Sequence, residues 1–164
     1  MGNQDFASRL QALEDIESIK TMHREYVFRL NAQEWDKVVE FFAENAEVRI
    51  FRHPYCKGIA QIRAMFFEHM SKVNFGKNRD CHFATMPVID LKGNVARSHW
   101  MLYIFISDPE TGNALRWTQG RYECEYTKVN GRWKFSKVVW VNPWPRLPRS
   151  LPTLEDVRAM GFDT

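Results

Sequence analysis

The sequence predicts an α+β fold in which three N-terminal helices pack on a strongly curved antiparallel β-sheet and enclose a pocket, like a cone. Two observations lead to this prediction. In the first part of the chain, apolar residues recur every three or four positions, whereas from Cys81 to Val141 they alternate with polar residues between short turns. Helices followed by a run of tightly connected strands are expected to form one helical layer on one sheet. A curved sheet covered by helices at one end has an apolar interior.

The helices are predicted from the spacing of their apolar residues. The first helix spans Asp5–Asn31, a short second helix spans Glu34–Phe42, and a third spans Ile59–Val73 after Gly58. We expect one stripe of the first helix to be buried, because its apolar side chains share a face. The residues of that stripe are Phe6, Leu10, Leu13, Ile16, Ile19, Met22, Tyr26 and Leu30.

The strands are predicted from alternation and from the turns between them. Their expected bounds are Glu47–Phe51, Cys81–Leu91, Asn94–Ser107, Ala114–Val129 and Trp133–Val141. Asn130-Gly131 between the last two strands is the strongest short hairpin signal, and Lys92-Gly93 predicts a second hairpin. The last four strands are therefore expected to form an antiparallel meander.

The chain of 164 residues is predicted to be a single domain, 1–164. Its final part, 143–164, is a proline-rich tail with a short helix expected at Leu154–Met160. The four residues Thr153–Asp156 resemble a capping box, which is typical of the start of a helix.

Composition argues against several classes of partner. The formal net charge is only +3 and charges of both signs are mixed along the chain, so neither nucleic acid nor an anionic membrane is expected. No apolar run reaches the roughly 18 residues of a membrane span, and no signal peptide is predicted. Three scattered cysteines, Cys56, Cys81 and Cys124, favour a cytoplasmic protein. The sequence has no metal-binding or phosphate-binding motif, so no metal and no cofactor are predicted.

Several segments resemble the SnoaL-like and nuclear transport factor 2-like (NTF2-like) superfamily. The run LEDIESIKTMHREYVFRLNAQEWDKVVEFFAENAEVRI is similar to its first two helices and first strand. KGIAQIRAMF, HFATMPVIDLKGNVA and GRYECEYTKVNGRWKFSKV follow in the order of that family. The resemblance is nearest to scytalone dehydratase and bile-acid 7α-dehydratase, and it implies the cone-shaped fold. The fold hosts lyases, isomerases, hydrolases, oxygenase β subunits and binding proteins, so it does not by itself imply a reaction.

The resemblance implies a catalytic histidine, here His82, and a tyrosine that holds a substrate oxygen, here Tyr26. An acid that supports the histidine in the family is replaced by Asn31, and a second ionisable group falls near Ile104 or Phe105. Histidine suits a general base near neutral pH. Asn31 can orient the ring, but it does not stabilise the imidazolium as a carboxylate does. His82 is therefore either the base of a less demanding reaction or a structural histidine.

Four more residues are candidates for substrate binding: Tyr55, Arg116, Tyr122 and Asn142. Arg116 and Tyr122 share one face of a strand, and an inward Arg116 would offer donors to an anionic or enolate oxygen. Alternatively, Arg116 lies in solvent at the start of the strand. Alternation leaves open which face of each strand points inward. Three other histidines are predicted to be at the surface: His23, His53 and His69.

Together these residues predict a cofactor-independent lyase or isomerase that acts on a small hydrophobic molecule, aromatic or polycyclic, with a hydroxyl or carbonyl group. Loss of water, retro-aldol cleavage and double-bond migration all begin with proton abstraction. The alternative is a non-catalytic ligand-binding module or a partner subunit similar to the β subunit of ring-hydroxylating dioxygenases. The resemblance also implies a homo-oligomer, either a dimer or a trimer.

Overall fold

A computed structural model describes residues 2–50, 53–73, 79–108 and 110–141. The proline-rich tail, with the helix expected at Leu154–Met160, lies outside this part of the chain. None of the described helices is long and apolar enough to cross a membrane.

Three helical segments precede the long strands. Helix α1 spans Gly2–Asn31, α2 spans Trp35–Val39, and α3 spans Ile59–Ala64. The last of these continues through a π-helical turn, Met65–Met70, into Ser71–Val73. The three predicted helices are confirmed, although α2 ends three residues earlier than expected.

Six strands form one curved, unclosed sheet. They are β1 (Phe42–Arg49), β2 (Cys56–Lys57), β3 (Arg79–Lys92), β4 (Val95–Ser107), β5 (Ala114–Val129) and β6 (Arg132–Val141). Their order is β2-β1-β6-β5-β4-β3, and the predicted antiparallel meander of the last four strands is confirmed. Because β1 runs parallel to β6, the sheet is mixed rather than wholly antiparallel. Strand β2 was not predicted, since two residues are too short to show alternation.

The start of β1 was mistaken for helix because its buried residues have helical spacing. Val38, Val39, Phe42 and Ala46 are all buried, at intervals that suit one helical stripe. In the structure the chain leaves α2 after Val39, and the pairing of β1 with β6 is irregular between Phe42 and Glu47. That irregularity removes the strict alternation by which a strand is recognised.

Turn geometry agrees with the hairpin signal at Asn130-Gly131, whereas the β3–β4 hairpin turns at Gly93 and Asn94, one residue later than predicted. Asn130 and Gly131 have φ values of 50° and 78°, and positive values at both positions are what a type I′ turn requires. Strand β3, by contrast, is interrupted between Thr85 and Val88, where Met86 has a φ of 51°. Pro87 has no N–H for the ladder, which explains a bulge at this point. The unbroken alternation predicted for Cys81–Leu91 is therefore wrong.

The two faces of the sheet differ in how far their side chains are buried. We call the face that packs against α1 the inner face. Its buried residues on β4 and β5 are Ala96, Ser98, Trp100, Leu102, Gly120, Tyr122, Cys124 and Tyr126. The opposite, outer face includes Phe83, Met101, Tyr103 and Trp117. The even-numbered residues of β4 and β5 therefore point inward, which alternation alone could not decide.

Helix α1 buries a stripe that differs from the predicted one. Ile19, Tyr26 and Leu30 are buried as expected, but Phe6 and Leu13 are 66% and 65% exposed. Two polar residues occupy buried positions instead, namely Asp15 and His23. The covered part of the helix therefore begins near Asp15, and polar side chains enter the interior with it.

Candidate functional site

His82 lies on the inner face of β3, opposite Ile104 of β4. Asn31, the last residue of α1, contacts it at three places. The Asn31 side-chain amide donates to the His82 carbonyl at 2.9 Å, and its Oδ1 accepts from the His82 backbone N–H at 2.7 Å. The same Oδ1 lies 3.2 Å from Nδ1 of the imidazole ring. The end of α1 is thereby tied to β3, and the ring is held in one orientation.

These contacts determine which ring nitrogen of His82 carries the proton. Because the Asn31 nitrogen donates to a carbonyl, Oδ1 is the acceptor of that amide. An acceptor that faces Nδ1 requires Nδ1 to be the protonated nitrogen, so the lone pair is on Nε2. Burial lowers the pKa of His82, and the nearby Asp80 carboxylate opposes this effect. A neutral imidazole with an available Nε2 is the form in which histidine accepts a proton.

Tyr26 is fully buried on α1 and packs against aromatic rings. Its ring centroid is 5.0 Å from that of Phe135 and 5.8 Å from that of Phe42. Burial raises the pKa of Tyr26 well above its usual value, and Tyr122 and Cys124 add to the rise. The side chain of Tyr122 lies within hydrogen-bonding range of the buried Tyr26 hydroxyl. Tyr26 is thus a neutral, buried hydroxyl whose polar neighbour is Tyr122.

Tyr26 and the His82–Asn31 pair belong to different levels of α1. Tyr26 precedes Asn31 by five residues, which corresponds to about 7.5 Å along a helix axis. Its aromatic neighbours belong to β1 and β6, whereas His82 belongs to β3 at the far edge of the sheet. The structure therefore gives two polar positions along one helix.

A second set of polar side chains lies inside the fold and was not predicted. We call it the inner polar cluster: His23, Ser98, Trp100 and Tyr126. Nδ1 of His23 is 3.1 Å from the Tyr126 hydroxyl, which is 2.8 Å from Oγ of Ser98. The Trp100 indole N–H donates to both oxygens, at 2.8 Å to Ser98 and 3.0 Å to Tyr126. The His23 ring also stacks on Trp100 with centroids 4.0 Å apart.

The surface position predicted for His23 is wrong. The residue is only 1% exposed, and burial lowers its pKa from 6.5 to about 3. Its Nε2 is buried and has no hydrogen-bond partner among the described residues. The signal was present in the sequence, because His23 follows Ile19 by four residues and precedes Tyr26 by three. Its polarity alone led to the surface assignment.

The other predicted site residues are not all brought together. Tyr122 is buried on the inner face, near Tyr26. Tyr55 is 52% exposed, and its hydroxyl interacts with Glu47, so it does not face the interior. Arg116 pairs with Ile106 through its backbone in β5, but its side chain is not described. Asn142 lies outside the described residues.

His53, which the sequence analysis places at the surface, is partly buried, and its pKa is lowered by burial and by His69.

Two other features do not coincide with these residues. A surface groove of about 1170 Å³ runs between α1 and the β5–β6 hairpin, and its walls include Glu14, Glu25, Arg132 and Lys134. None of its lining residues belongs to the predicted site. Within the described ranges, no three or more His, Cys, Asp or Glu side chains are grouped so as to hold a metal ion.

The family model for the SnoaL-like domain matches residues 11–139. The chain belongs to the SnoaL-like family. The superfamily inferred from the sequence motifs is confirmed. This family includes cofactor-independent isomerases and dehydratases, and it also has members whose function is unknown. Membership of the SnoaL-like family is therefore compatible with an isomerase, a dehydratase or a ligand-binding protein.

Solved structures confirm the fold of this SnoaL-like domain. An NTF2-like protein with a cystatin-like fold from Novosphingobium aromaticivorans is 20% identical, with 86% of this chain and 90% of that chain covered and a TM-score of 0.69. A candidate scytalone dehydratase from the same bacterium is 17% identical, with 82% and 91% covered and a TM-score of 0.66. A candidate aromatic ring hydroxylase, also from that bacterium, is 20% identical, with 81% and 92% covered and a TM-score of 0.67. No curated protein is significantly similar in sequence. These identities show a shared fold only.

Proposed function

We propose that this SnoaL-like domain is a cofactor-independent lyase or isomerase in which His82 removes a proton from a small aromatic or polycyclic compound with a hydroxyl or carbonyl group. The contact between Asn31 and His82 is the observation that carries this proposal. It leaves Nε2 of a neutral imidazole as a base on the inner face of the sheet. A neutral imidazole in this tautomer has the form that a general base requires.

The reaction begins when Nε2 of His82 accepts a proton from a carbon next to a carbonyl group. The C–H electron pair moves into the carbon framework, and negative charge develops on the carbonyl oxygen. The Tyr26 hydroxyl, kept neutral by its raised pKa, donates a hydrogen bond to that oxygen. The imidazolium then returns its proton, either to a departing hydroxyl group, which leaves as water, or to another carbon, which moves the double bond.

Asn31 limits how strong this base can be. An amide oxygen holds the ring but provides no negative charge to stabilise the imidazolium, unlike a carboxylate. A substrate whose C–H bond is already acidic, such as one next to a ketone in a ring system, suits this arrangement.

Proton exchange with solvent tests the proposal without knowledge of the natural product. The domain is incubated in D₂O with 3-hydroxy-1-tetralone and related bicyclic hydroxyketones, and NMR follows both deuterium uptake and loss of water. We expect His82→Gln to lower the exchange rate by about 10²-fold or more. His69→Gln, which changes an exposed helix histidine, is the matched control. Exchange that persists in His82→Gln would contradict the role of His82.

A second candidate is a non-catalytic ligand-binding module or a partner subunit similar to an oxygenase β subunit. Two observations favour it: the amide of Asn31 and the apolar Ile104 directly opposite His82, where an ionisable group would have assisted the base. This candidate predicts saturable binding of the same compounds without deuterium uptake at any pH.

We also propose that the domain forms a homo-oligomer, a dimer or trimer, through the outer face of its sheet. Phe83 and Trp117 are 53% and 60% exposed there, and their rings pair with those of Phe105 and Tyr103. A cluster of exposed aromatic rings on a sheet face is typical of a protein interface.

We further propose a cytoplasmic location, because Cys56, Cys81 and Cys124 are free thiols.

A further inference from the structure

His23 has a buried nitrogen that the proposed reaction does not use. Its Nε2 lies in the interior without a partner among the described residues. A buried polar atom left unpaired costs about 1–3 kcal/mol, and native interiors retain few of them. A phenylalanine ring would fill a similar volume at this place without that cost. The histidine therefore points to a polar group that is supplied by a bound molecule.

The surroundings of His23 are aromatic on several sides. Trp100 stacks on one face of the imidazole, while Phe135 and Tyr26 present rings roughly perpendicular to it, at centroid distances of 5.3 and 6.0 Å. Tyr122 lies at 6.1 Å. A flat, apolar molecule packs well against such rings. Nε2 of His23, which lies among these rings, is then positioned to form a hydrogen bond with one oxygen of that molecule.

The inner polar cluster allows two arrangements of protons. In the first, Ser98 donates to Tyr126, Tyr126 donates to Nδ1 of His23, and Nε2 carries the proton as a donor. In the second, Tyr126 donates to Ser98, Nδ1 of His23 donates to Tyr126, and Nε2 is an acceptor. Both satisfy the observed distances of 2.8 and 3.1 Å. Rotation of the two hydroxyl groups, with exchange of the His23 tautomer, therefore switches Nε2 between donor and acceptor.

We propose that Nε2 of His23 binds one oxygen of the ligand, either a carbonyl or a hydroxyl oxygen, with the Tyr26 hydroxyl as a second contact. The assignment rests on the interior being the ligand site of the proposed function, but it does not require His82 to be catalytic. His23 and Tyr26 are three residues apart on α1, so their side chains share one face of the helix. Nε2 of His23 is buried and unpaired among the described residues, and the Tyr26 hydroxyl is buried beside Tyr122.

The two proton arrangements suit a ligand whose oxygen changes from carbonyl to enol. The donor form of Nε2 binds a carbonyl oxygen, and the acceptor form binds an enol or phenol hydroxyl. Because the pKa of His23 is lowered to about 3, the ring stays neutral and acts as a hydrogen-bonding group.

Binding of 2-naphthol and naphthalene to the full-length domain tests this assignment. The two probes differ by one hydroxyl group, so their affinity ratio measures the contact to oxygen. We expect the wild type to bind 2-naphthol about tenfold more tightly, which corresponds to one hydrogen bond of about 1.4 kcal/mol. His23→Phe should reduce the ratio to near one, and the matched surface change His69→Phe should leave it intact.

Histidine ¹⁵N NMR on the wild type provides a readout that needs no stable variant. We expect 2-naphthol, but not naphthalene, to shift the Nε2 signal of His23. Three results would each overturn the assignment: an unchanged affinity ratio in His23→Phe, a His23 signal that does not move when 2-naphthol binds, or saturable binding of neither probe. Intact preference for 2-naphthol without any deuterium exchange would instead reject His82 as a base and retain His23 as a ligand contact.

Discussion

At the scale of single residues, burial of the His23 ring makes stability depend on pH. Its pKa is about 3 in the folded state, against an ordinary value of 6.5 in the unfolded chain. The unfolded state therefore binds the proton first, and folding stability from this residue is complete above pH 6.5 and decreases as the pH falls toward 3. The decrease is about 1.4 kcal/mol per pH unit.

We expect His23→Phe to remove this dependence. We expect the free energy of unfolding, measured with urea, to fall between pH 7.5 and pH 5.0 by about 2 kcal/mol less in the variant than in the wild type. The reason is that about 1.5 pH units of that interval lie below the ordinary histidine pKa. The other histidines are common to both proteins and cancel in the comparison. Parallel curves would show that His23 is protonated equally in both states.

Replacement of Asn31 by aspartate tests the control of His82. In Asn31→Asp a carboxylate faces Nδ1–H and stabilises the imidazolium, so the pKa of His82 should rise by about one unit or more. NMR titration of the His82 ring measures this directly, and the acid limb of any pH–rate profile should move in the same direction. In Asn31→Ala, which has no acceptor, the pKa should not rise. A pKa that rises equally in both variants would contradict the contact.

Gly120 is required by the close approach of Trp140 to its backbone. A Cβ atom at this position would lie 2.2 Å from Nε1 of the Trp140 indole, so the ring would have to move. We expect Gly120→Ala to lower the free energy of unfolding by about 1–3 kcal/mol, measured by urea denaturation. In a Trp140→Leu background the cost should be smaller. An equal cost in both backgrounds would indicate a backbone effect instead of the clash.

At the scale of secondary-structure elements, Asp15 joins α1 to the β5–β6 hairpin. Its Oδ1 accepts from Lys128 Nζ at 2.5 Å and from the Trp133 indole N–H at 3.0 Å. Burial raises the pKa of Asp15, but these two donors outweigh it and the pKa is lowered overall. The carboxylate is therefore part of the packing of the helix.

We expect Asp15→Ala to cost about 2 kcal/mol of stability, because the Lys128 ammonium and the Trp133 indole N–H lose their shared charged acceptor. The contribution of Asp15 is complete above its ordinary pKa of 3.8 and is lost only as the pH falls through its lower folded value. Urea unfolding at pH 7.5 and 5.0 should thus show the same deficit for Asp15→Ala at both values. A deficit that disappears at pH 5.0 would contradict this account.

At the scale of the whole molecule, the outer face of the sheet is expected to control assembly. Trp117→Asp places a charge within the exposed aromatic cluster, so we expect the oligomer to dissociate while circular dichroism stays unchanged. Phe28, which is 68% exposed on α1, offers the matched control Phe28→Asp. Light scattering coupled to size-exclusion chromatography measures both. A monomeric wild type, or equal dissociation in both variants, would reject the proposed interface.

The predictions from sequence were confirmed where a feature depends on residues that are close together in the chain, and they failed where it depends on distant segments. The hairpin at Asn130-Gly131 follows from two adjacent residues, and the meander follows from alternation within each strand. The bulge at Met86 and Pro87 was missed, although it moves the following residues of β3 to the other face. The β1 strand was missed in part because its register with β6 is irregular, which is a property of two distant segments.

The sequence by itself determined the helices, the meander of four strands and the SnoaL-like family, because these depend on repeated spacing and on short motifs. It also selected His82, Asn31 and Tyr26 as candidates. Only the tertiary structure decided which polar atoms lie together: the tautomer of His82, the exposed position of Tyr55, and the buried Nε2 of His23. Such contacts depend on strand register and on the rotation of α1 against the sheet, and both result from packing between residues far apart in the chain.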